Sequence, residues 1–344
     1  MRILITGVLG FAGRHLLRAA LVRGHEAVGA DLAEPAAAAG LDGLDGYFAC
    51  DVRDPARVAA VLAEARPEGV IHLAAQASGA QSFSDPTGAF AVNAVGTLNV
   101  LEAARRAGFG GPLLTVTSSE AYGRIALGRP ADESSPLRPA SPYGVSKAAA
   151  DHAAQVYAVA YGLKVVRARS FSHTGPGQSP VFVAPAWAQQ IAQAEAKSAA
   201  GERGPFLLRV GNLDPVRDVG DARDVVEAYL DLLEKGRPGE AYNVCTGQGI
   251  KLRDLLEALR NLARVPLGVE PDAGRLRPVD IPYLVGDRKK ISLDVGWTPR
   301  RTLAETLEWL LDDWRAREGV GRAPGKRGGK RAGGTAGAAG ERGP

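Results

Sequence analysis

Short apolar runs alternate along this chain with longer Ala/Leu-rich segments of helical period, and few architectures accept that alternation. The runs are Arg2 to Thr6, Glu26 to Ala30, Gly46 to Ala49, Gly69 to Leu73, Pro112 to Thr117, Lys164 to Arg169 and Glu240 to Val244. Helices are predicted over 12–23, 55–65, 87–107, 142–161 and 181–197, followed in a less regular part by Val219 to Lys235, Leu252 to Ala263 and Leu303 to Arg317. Units of this kind close by right-handed crossovers, so the economical solution is an α/β fold: a doubly wound parallel sheet with a smaller C-terminal α/β region. At 344 residues, one domain or two that share a core fit better than a string of modules.

The first run turns into its helix through TGVLGFAG, with Gly7, Gly10 and Gly13 three apart and Phe11 and Ala12 between the last two. Glycine there permits a tight turn and lets backbone N–H groups approach a pyrophosphate, while the helix start adds partial positive charge. Asp31 stands 18 residues beyond Gly13, at the end of the second run. A carboxylate at that place can bond the adenosine ribose diol and repels a 2′-phosphate, which favours NAD(H). NADP(H) stays open, because Arg23 or Arg53 could assist a phosphate. Asp51 and Val52 suit the adenine edge, and Leu73, Ala74 and Ala75 would let a nucleotide lie against the backbone. Asn93 is read as structural.

The run ending at Thr117 leads into Ser118, Ser119, Glu120, Ala121, Tyr122 and Gly123, and Tyr143-Gly-Val-Ser-Lys147 follows about twenty residues later. Positions i and i+4 share a helix face, so Tyr143 and Lys147 can enter one pocket. An ammonium beside a phenol favours phenolate and would lower its pKa from about 10, making the tyrosine a usable acid or base. Ser118, at a strand's carboxyl end, can bond the same reacting oxygen.

The motifs TGVLGFAG, HLAAQAS, TSSEAYG, SPYGVSK, RVGNLDPVRDVGDARDVVEAY and YNVCTGQG together resemble the extended short-chain dehydrogenase/reductase family over residues 1 to 318. The resemblance implies a Rossmann-type fold: residues 1–170, with later segments near 219–246, bind NAD(P), and 171–318 mainly bind substrate. Within the family the chain is most similar to the GDP-sugar branch, and SHTGPGQ, GNLDPVRDVGD and LRPVDIPYLVGD look closer to its reductases than to its 4,6-dehydratases. By resemblance Ser118, Tyr143 and Lys147 are the catalytic triad, with Tyr143 and Lys147 also meeting the cofactor. Glu120 occupies the place of the base that dehydratases use at C5. Arg217 and Arg277 resemble residues that grip the diphosphate and nucleoside, and Asn212 and Asp280 would bond ribose or base. Ser172 replaces the usual asparagine before the GPG turn, and His173 is read as structural.

These implications favour reduction of a GDP-4-keto-6-deoxyhexose to a GDP-6-deoxyhexose of the GDP-rhamnose type. GDP-mannose 4,6-dehydration, UDP-sugar 4-epimerisation and a non-enzymatic nucleotide-binding protein remain as alternatives. The family commonly dimerises through helices such as 87–107 and 142–161, which are Ala-rich and apolar on more than one face. The net charge of +4 is deceptive. Residues 319–344, a Gly/Ala-rich tail predicted to be disordered, carry +5 and leave the rest at −1, so a nucleic-acid partner would rest on the tail alone. Cys50 and Cys245 are too far apart in sequence for a metal motif or a disulfide framework. No run is long and apolar enough for a membrane span, and no signal-peptide core precedes the first glycines, so a cytoplasmic location is expected.

Overall fold

The computed structural model describes residues 1–38, 40–276 and 279–321. The chain begins with β1 (Arg2–Thr6), α1 (Phe11–Val22), β2 (Glu26–Asp31), β3 (Gly46–Ala49), α2 (Pro55–Ala65) and β4 (Gly69–His72). It continues through α3 (Pro86–Phe90), a π-helical turn (Ala91–Val95), α4 (Gly96–Arg106), β5 (Leu113–Ser118), α5 (Pro142–Tyr161) and β6 (Val165–Ser170). The later part holds β7 (Ser172–Thr174), α6 (Val183–Ala199), β8 (Phe206–Val210), β9 (Val216–Asp221), α7 (Ala222–Lys235) and β10 (Ala241–Val244). Then come β11 (Gly249–Lys251), α8 (Leu252–Arg260), β12 (Leu267–Pro271), β13 (Tyr283–Leu284), α9 (Lys289–Val295) and α10 (Leu303–Arg317).

Seven of these strands form one parallel sheet in the order β3-β2-β1-β4-β5-β6-β10. Parallel sheets are covered on both faces, which is why β1 and β4 read as almost unbroken apolar runs rather than alternating ones. One face packs on α1 and α7 through Leu16, Leu17, Val226 and Leu230, and the other on α2 and α4 through Val61, Leu62, Val100 and Leu101. Helix boundaries follow capping chemistry. Asp54 accepts from the N–H groups of Ala56 and Arg57 with Pro55 at the first helical position of α2, and Ser141 and Pro142 do the same for α5, which stops at left-handed Gly162.

Three predicted helices change. The span 87–107 is interrupted by the π turn, where fully buried Asn93 bonds outside its own helix: its amide donates to Gln76 O at 3.0 Å and Ser146 Oγ at 2.9 Å. The segment before Ala222 is the strand β9, held between neighbours β11 and β13 and paired also with β7, and Asp221 caps α7 by accepting from Arg223 N. Helix α8 ends at Arg260, short of Ala263. The short strands of the later part, including the parallel pair β8 and β12, add elements that the sequence pattern does not announce. A second core of Trp187, Ile191, Leu256, Leu310, Leu311 and Trp314 joins α6, α8 and α10.

Among the described residues no helix is long and apolar enough to cross a membrane. Both cysteines are free and buried, and burial pushes their thiols up, Cys50 to about 11. Residues 322–344, which include the basic side chains of the tail, lie outside the described residues.

Candidate active site

The glycine turn is built by exclusion. Gly7 has φ +74°, and a Cβ there would come within 2.7 Å of Ala74 N. A Cβ on Gly13 would collide with Gly7 O and stand 2.7 Å from Val8 Cα. Gly10 is the N-cap of α1 and offers no side chain to the first turn. The first N–H groups of a helix have no partner within it, so a substituent-free cradle faces the open end of α1. That cradle fits the pyrophosphate of a dinucleotide. Beside it the Asp31 carboxylate accepts from Leu9 N at 2.9 Å and Leu32 N at 2.8 Å, pinning the turn to the end of β2.

The turn opens onto a cavity of about 1440 Å³. Its walls include Gly7, Gly10, Phe11, Ala12, Gly13, Asp31, Leu73 and Ala75 at one end, and Ser172, Asn212, Arg217 and Asp280 at the other, with Ser118, Glu120, Tyr143 and Lys147 between them. Three expected residues are not brought to it. Ala74 packs behind Gly7. The Asp51 carboxylate is gripped by Arg53 at 2.6 Å, and the side chain of Val52 is buried in the core against Gly96. Arg277 lies outside the described residues.

One face of α5 organises the centre. Tyr143, Lys147 and Asp151 succeed one another at intervals of four and are all buried. Lys147 Nζ donates to Val116 O on β5 at 3.1 Å. Asp151 accepts from Arg167 at 2.7 Å and from Arg169 at 2.8 and 2.9 Å, both on β6, and from Thr117 Oγ1 at 3.2 Å on β5. Burial alone would raise the Asp151 carboxyl, but the two guanidinium groups outweigh it and hold the group below the ordinary carboxylate range. The helix bearing the tyrosine and lysine is thus clamped to the two strands that frame the site.

The pKa pattern differs from the sequence expectation. Burial pushes the Tyr143 phenol up, the neighbouring Ser118 hydroxyl pulls it back, and Glu120 adds to the rise. Desolvation pushes Lys147 down to about 8. Burial of each group, rather than an attraction between them, sets this pattern. Ser118 Oγ accepts from Glu120 N at 3.2 Å, and Glu120 Oε2 accepts from Ser141 Oγ at 2.9 Å, so the acid is tied to the N-cap of α5.

At the far end Arg217 donates to Ile281 O at 2.7 Å and Asn212 Nδ2 to Asp280 Oδ2 at 2.9 Å, so these side chains enter the wall already oriented. His173 stacks on Phe11 with ring centroids 5.8 Å apart, its Nδ1 3.0 Å from Phe171 O, and burial pushes its pKa down. The sequence reading missed Ser170, Gln178, Trp187, Tyr229 and Arg275 in the lining. Gln178 and Tyr229 fall inside quoted motifs and could have been found there.

Such an arrangement, one cavity shared by a glycine turn and a Tyr/Lys helix face, puts the protein among the nucleotide-sugar enzymes of the extended short-chain dehydrogenase/reductase class. Within that class the chain belongs to the family described as GDP-mannose 4,6 dehydratase, whose model matches residues 4–310. It is 35% identical to a GDP-6-deoxy-D-mannose reductase of Pseudomonas aeruginosa over 92% of this chain and 98% of that one. The structure of RMD from Pseudomonas aeruginosa complexed with NADPH superposes with a TM-score of 0.78 at 35% identity, covering 92% of this chain and 99% of that one. The UDP-glucose 4-epimerase of Thermus thermophilus in complex with NAD gives 0.80 at 34% identity, covering 92% and 99%.

Proposed function

We propose that this enzyme reduces a GDP-4-keto-6-deoxyhexose to a GDP-6-deoxyhexose of the GDP-rhamnose type. The observation that carries the reading is the single cavity in which Ser118, Tyr143 and Lys147 stand between the glycine turn and the Arg217, Asn212 and Asp280 wall. When bound, the nicotinamide supplies hydride to C4 of the sugar. Ser118 bonds O4, Tyr143 hands it a proton, and the Lys147 ammonium lowers the cost of leaving a phenolate behind. Arg217 holds the diphosphate, with the guanidinium fork already braced on backbone carbonyls. Ser172, Asn212 and Asp280 complete the substrate wall. Residues 1–170 with α7 and β10 serve the cofactor, and 171–318 mainly serve the substrate, in a cytoplasmic protein.

The test is to supply GDP-4-keto-6-deoxymannose with NADH and then NADPH. Stoichiometric loss of reduced cofactor, with a product heavier by two hydrogen atoms, is expected. Release of water from GDP-mannose without added reductant would instead favour 4,6-dehydration. Glu120 gives that second reading its footing, since its carboxylate lines the cavity beside Ser118.

NADH is expected to outperform NADPH. Asp31 lines the adenosine end, while Arg23 is engaged by Asp231 at 3.1 Å and Arg53 by Asp51. The substitution Asp31→Ser should narrow the ratio of the two kcat/KM values about tenfold or more, the scale on which removing about 1.4 kcal/mol of repulsion acts. An unchanged ratio would count against the role given to Asp31.

The outer face of α3, the π turn, α4 and α5 supports a homodimer. Phe90, Val95, Leu98, Val145, Val156 and Val159 are exposed there, and a second copy would cover them. Sedimentation should give twice the 35.9 kDa chain mass, and Leu98→Glu combined with Val145→Glu should give a monomer. A wild-type monomer at micromolar concentration would refute the interface.

A further inference from the structure

The reaction as described leaves one pair of cavity hydroxyls without a task. Ser170 ends β6 and is the register partner of Ser118 at the end of β5. Partners on adjacent strands stand about 4.8 Å apart and project to the same side, and both serines line the cavity with Tyr143. Behind Ser170 is Tyr229 of α7, whose phenol donates to Ser170 Oγ at 2.8 Å. Tyr229 is otherwise part of the apolar core with Val225, Val226 and Leu230, where phenylalanine would pack as well. The visible consequence of its hydroxyl is a fixed orientation of Ser170.

A serine hydroxyl has one hydrogen to donate. With Tyr229 donating to Ser170 Oγ, that hydrogen is left for an acceptor, and the nearest within the described protein, Phe171 O, is 3.5 Å away. That distance is at the limit of a useful bond. The Thr117 hydroxyl on the same pair of strands is engaged by Asp151 and Ala168 O. Ser118 is used on the substrate oxygen. Ser170 is therefore the donor left on this wall at the level of the reacting carbonyl.

We infer that Ser170, oriented by Tyr229, donates to the carbonyl oxygen of the nicotinamide carboxamide. This rests on the reading of the cavity as a nicotinamide site. The ring has to lie within reach of the carbonyl that Tyr143 and Ser118 address, and its polar substituent there is the carboxamide. Ser170 is thus a cofactor-binding residue and Tyr229 a positioning residue, which acts through the direction it gives the serine hydroxyl.

Calorimetric titration of the full-length protein with NADH and, separately, with ADP-ribose tests this, because ADP-ribose keeps the pyrophosphate and both riboses but has no nicotinamide. Ser170→Ala should weaken NADH about three- to tenfold, the scale of one neutral hydrogen bond, and leave ADP-ribose unchanged. Tyr229→Phe should act in the same direction by a smaller factor, again on NADH alone. Equal losses for both ligands in both variants would make the pair merely structural and overturn the inference, as would no loss for either. A wild-type protein that binds ADP-ribose but gains nothing from nicotinamide would overturn the cofactor reading together with it.

Discussion

Tyr143→Phe is expected to lower kcat for ketone reduction by about 10² to 10⁴, the contribution of a positioned general acid, while the dissociation constants of NADH and substrate change little. The ring fills the same space, so packing of α5 is preserved, and what disappears is the proton that O4 needs as hydride arrives. The pH profile should follow Lys147 rather than Tyr143. Burial raises the phenol, so the donor stays protonated across the neutral range, whereas Lys147 is pushed down to about 8. Below that value the amine is charged and favours phenolate; above it the charge is lost and proton donation becomes costlier. Reduction should therefore hold steady below about pH 8 and decline above it. A Tyr143→Phe enzyme within a factor of about three of wild type would remove the tyrosine from the chemistry, since general acid catalysis is larger than that.

Asp151→Ala should destabilise the fold more than any change on the cavity wall. Its carboxylate is fully buried between Arg167 and Arg169; Arg167 also donates to Gly239 O and Gln155 Oε1 and leaves its buried Nε without a partner among the described residues, while Arg169 also donates to Glu133 O and to the Tyr122 hydroxyl. Removing one partner of a buried ion pair costs about 3–5 kcal/mol, because the other charge is left without compensation. Here two guanidinium groups are stranded, in a protein class whose total stability is about 5–15 kcal/mol. Urea unfolding should show a lower midpoint with an unchanged slope. The folded fraction should also turn over slowly, because Lys147 and Tyr143 sit about one and two turns along the same helix face. A loss under about 1 kcal/mol would mean that the clamp is dispensable, since that is the size of an exposed pair.

Much of the site was legible because its parts are local. The glycine turn follows a strand and opens a helix, and Tyr143 and Lys147 reach one face by spacing alone. The boundaries of α5 could be read from Ser141, Pro142 and Gly162. What escaped depends on contacts distant in sequence. The π turn forms because Asn93 reaches Gln76 and Ser146. The last three residues of β9 read as the start of a helix because VRDVGD has mixed polarity, and its neighbours β7, β11 and β13 fix it as extended. Asp51 looked available until Arg53 claimed it. The clamp did leave a trace: Arg167 and Arg169, two residues apart in an otherwise small and apolar run, signal a buried acid opposite. The sequence alone does not say that this acid is Asp151.

Strand β10 completes the seven-stranded sheet beside β6, although it is made long after β6 has left the ribosome. Until then the outer rim of β6 carries unpaired N–H and C=O groups, the kind of edge that invites pairing with another chain. Parallel pairing between such distant segments is also slow to form. A nascent chain that has just finished Ser170 thus holds the glycine turn and the Tyr/Lys helix but cannot close the sheet beneath them. The segment that closes it arrives only after Arg217 and most of the substrate wall have been synthesised. The order of synthesis therefore delays a finished cofactor floor until Ser172, Asn212 and Arg217 are present, with Arg277 and Asp280 still to come, and it ties the two halves into one folding event.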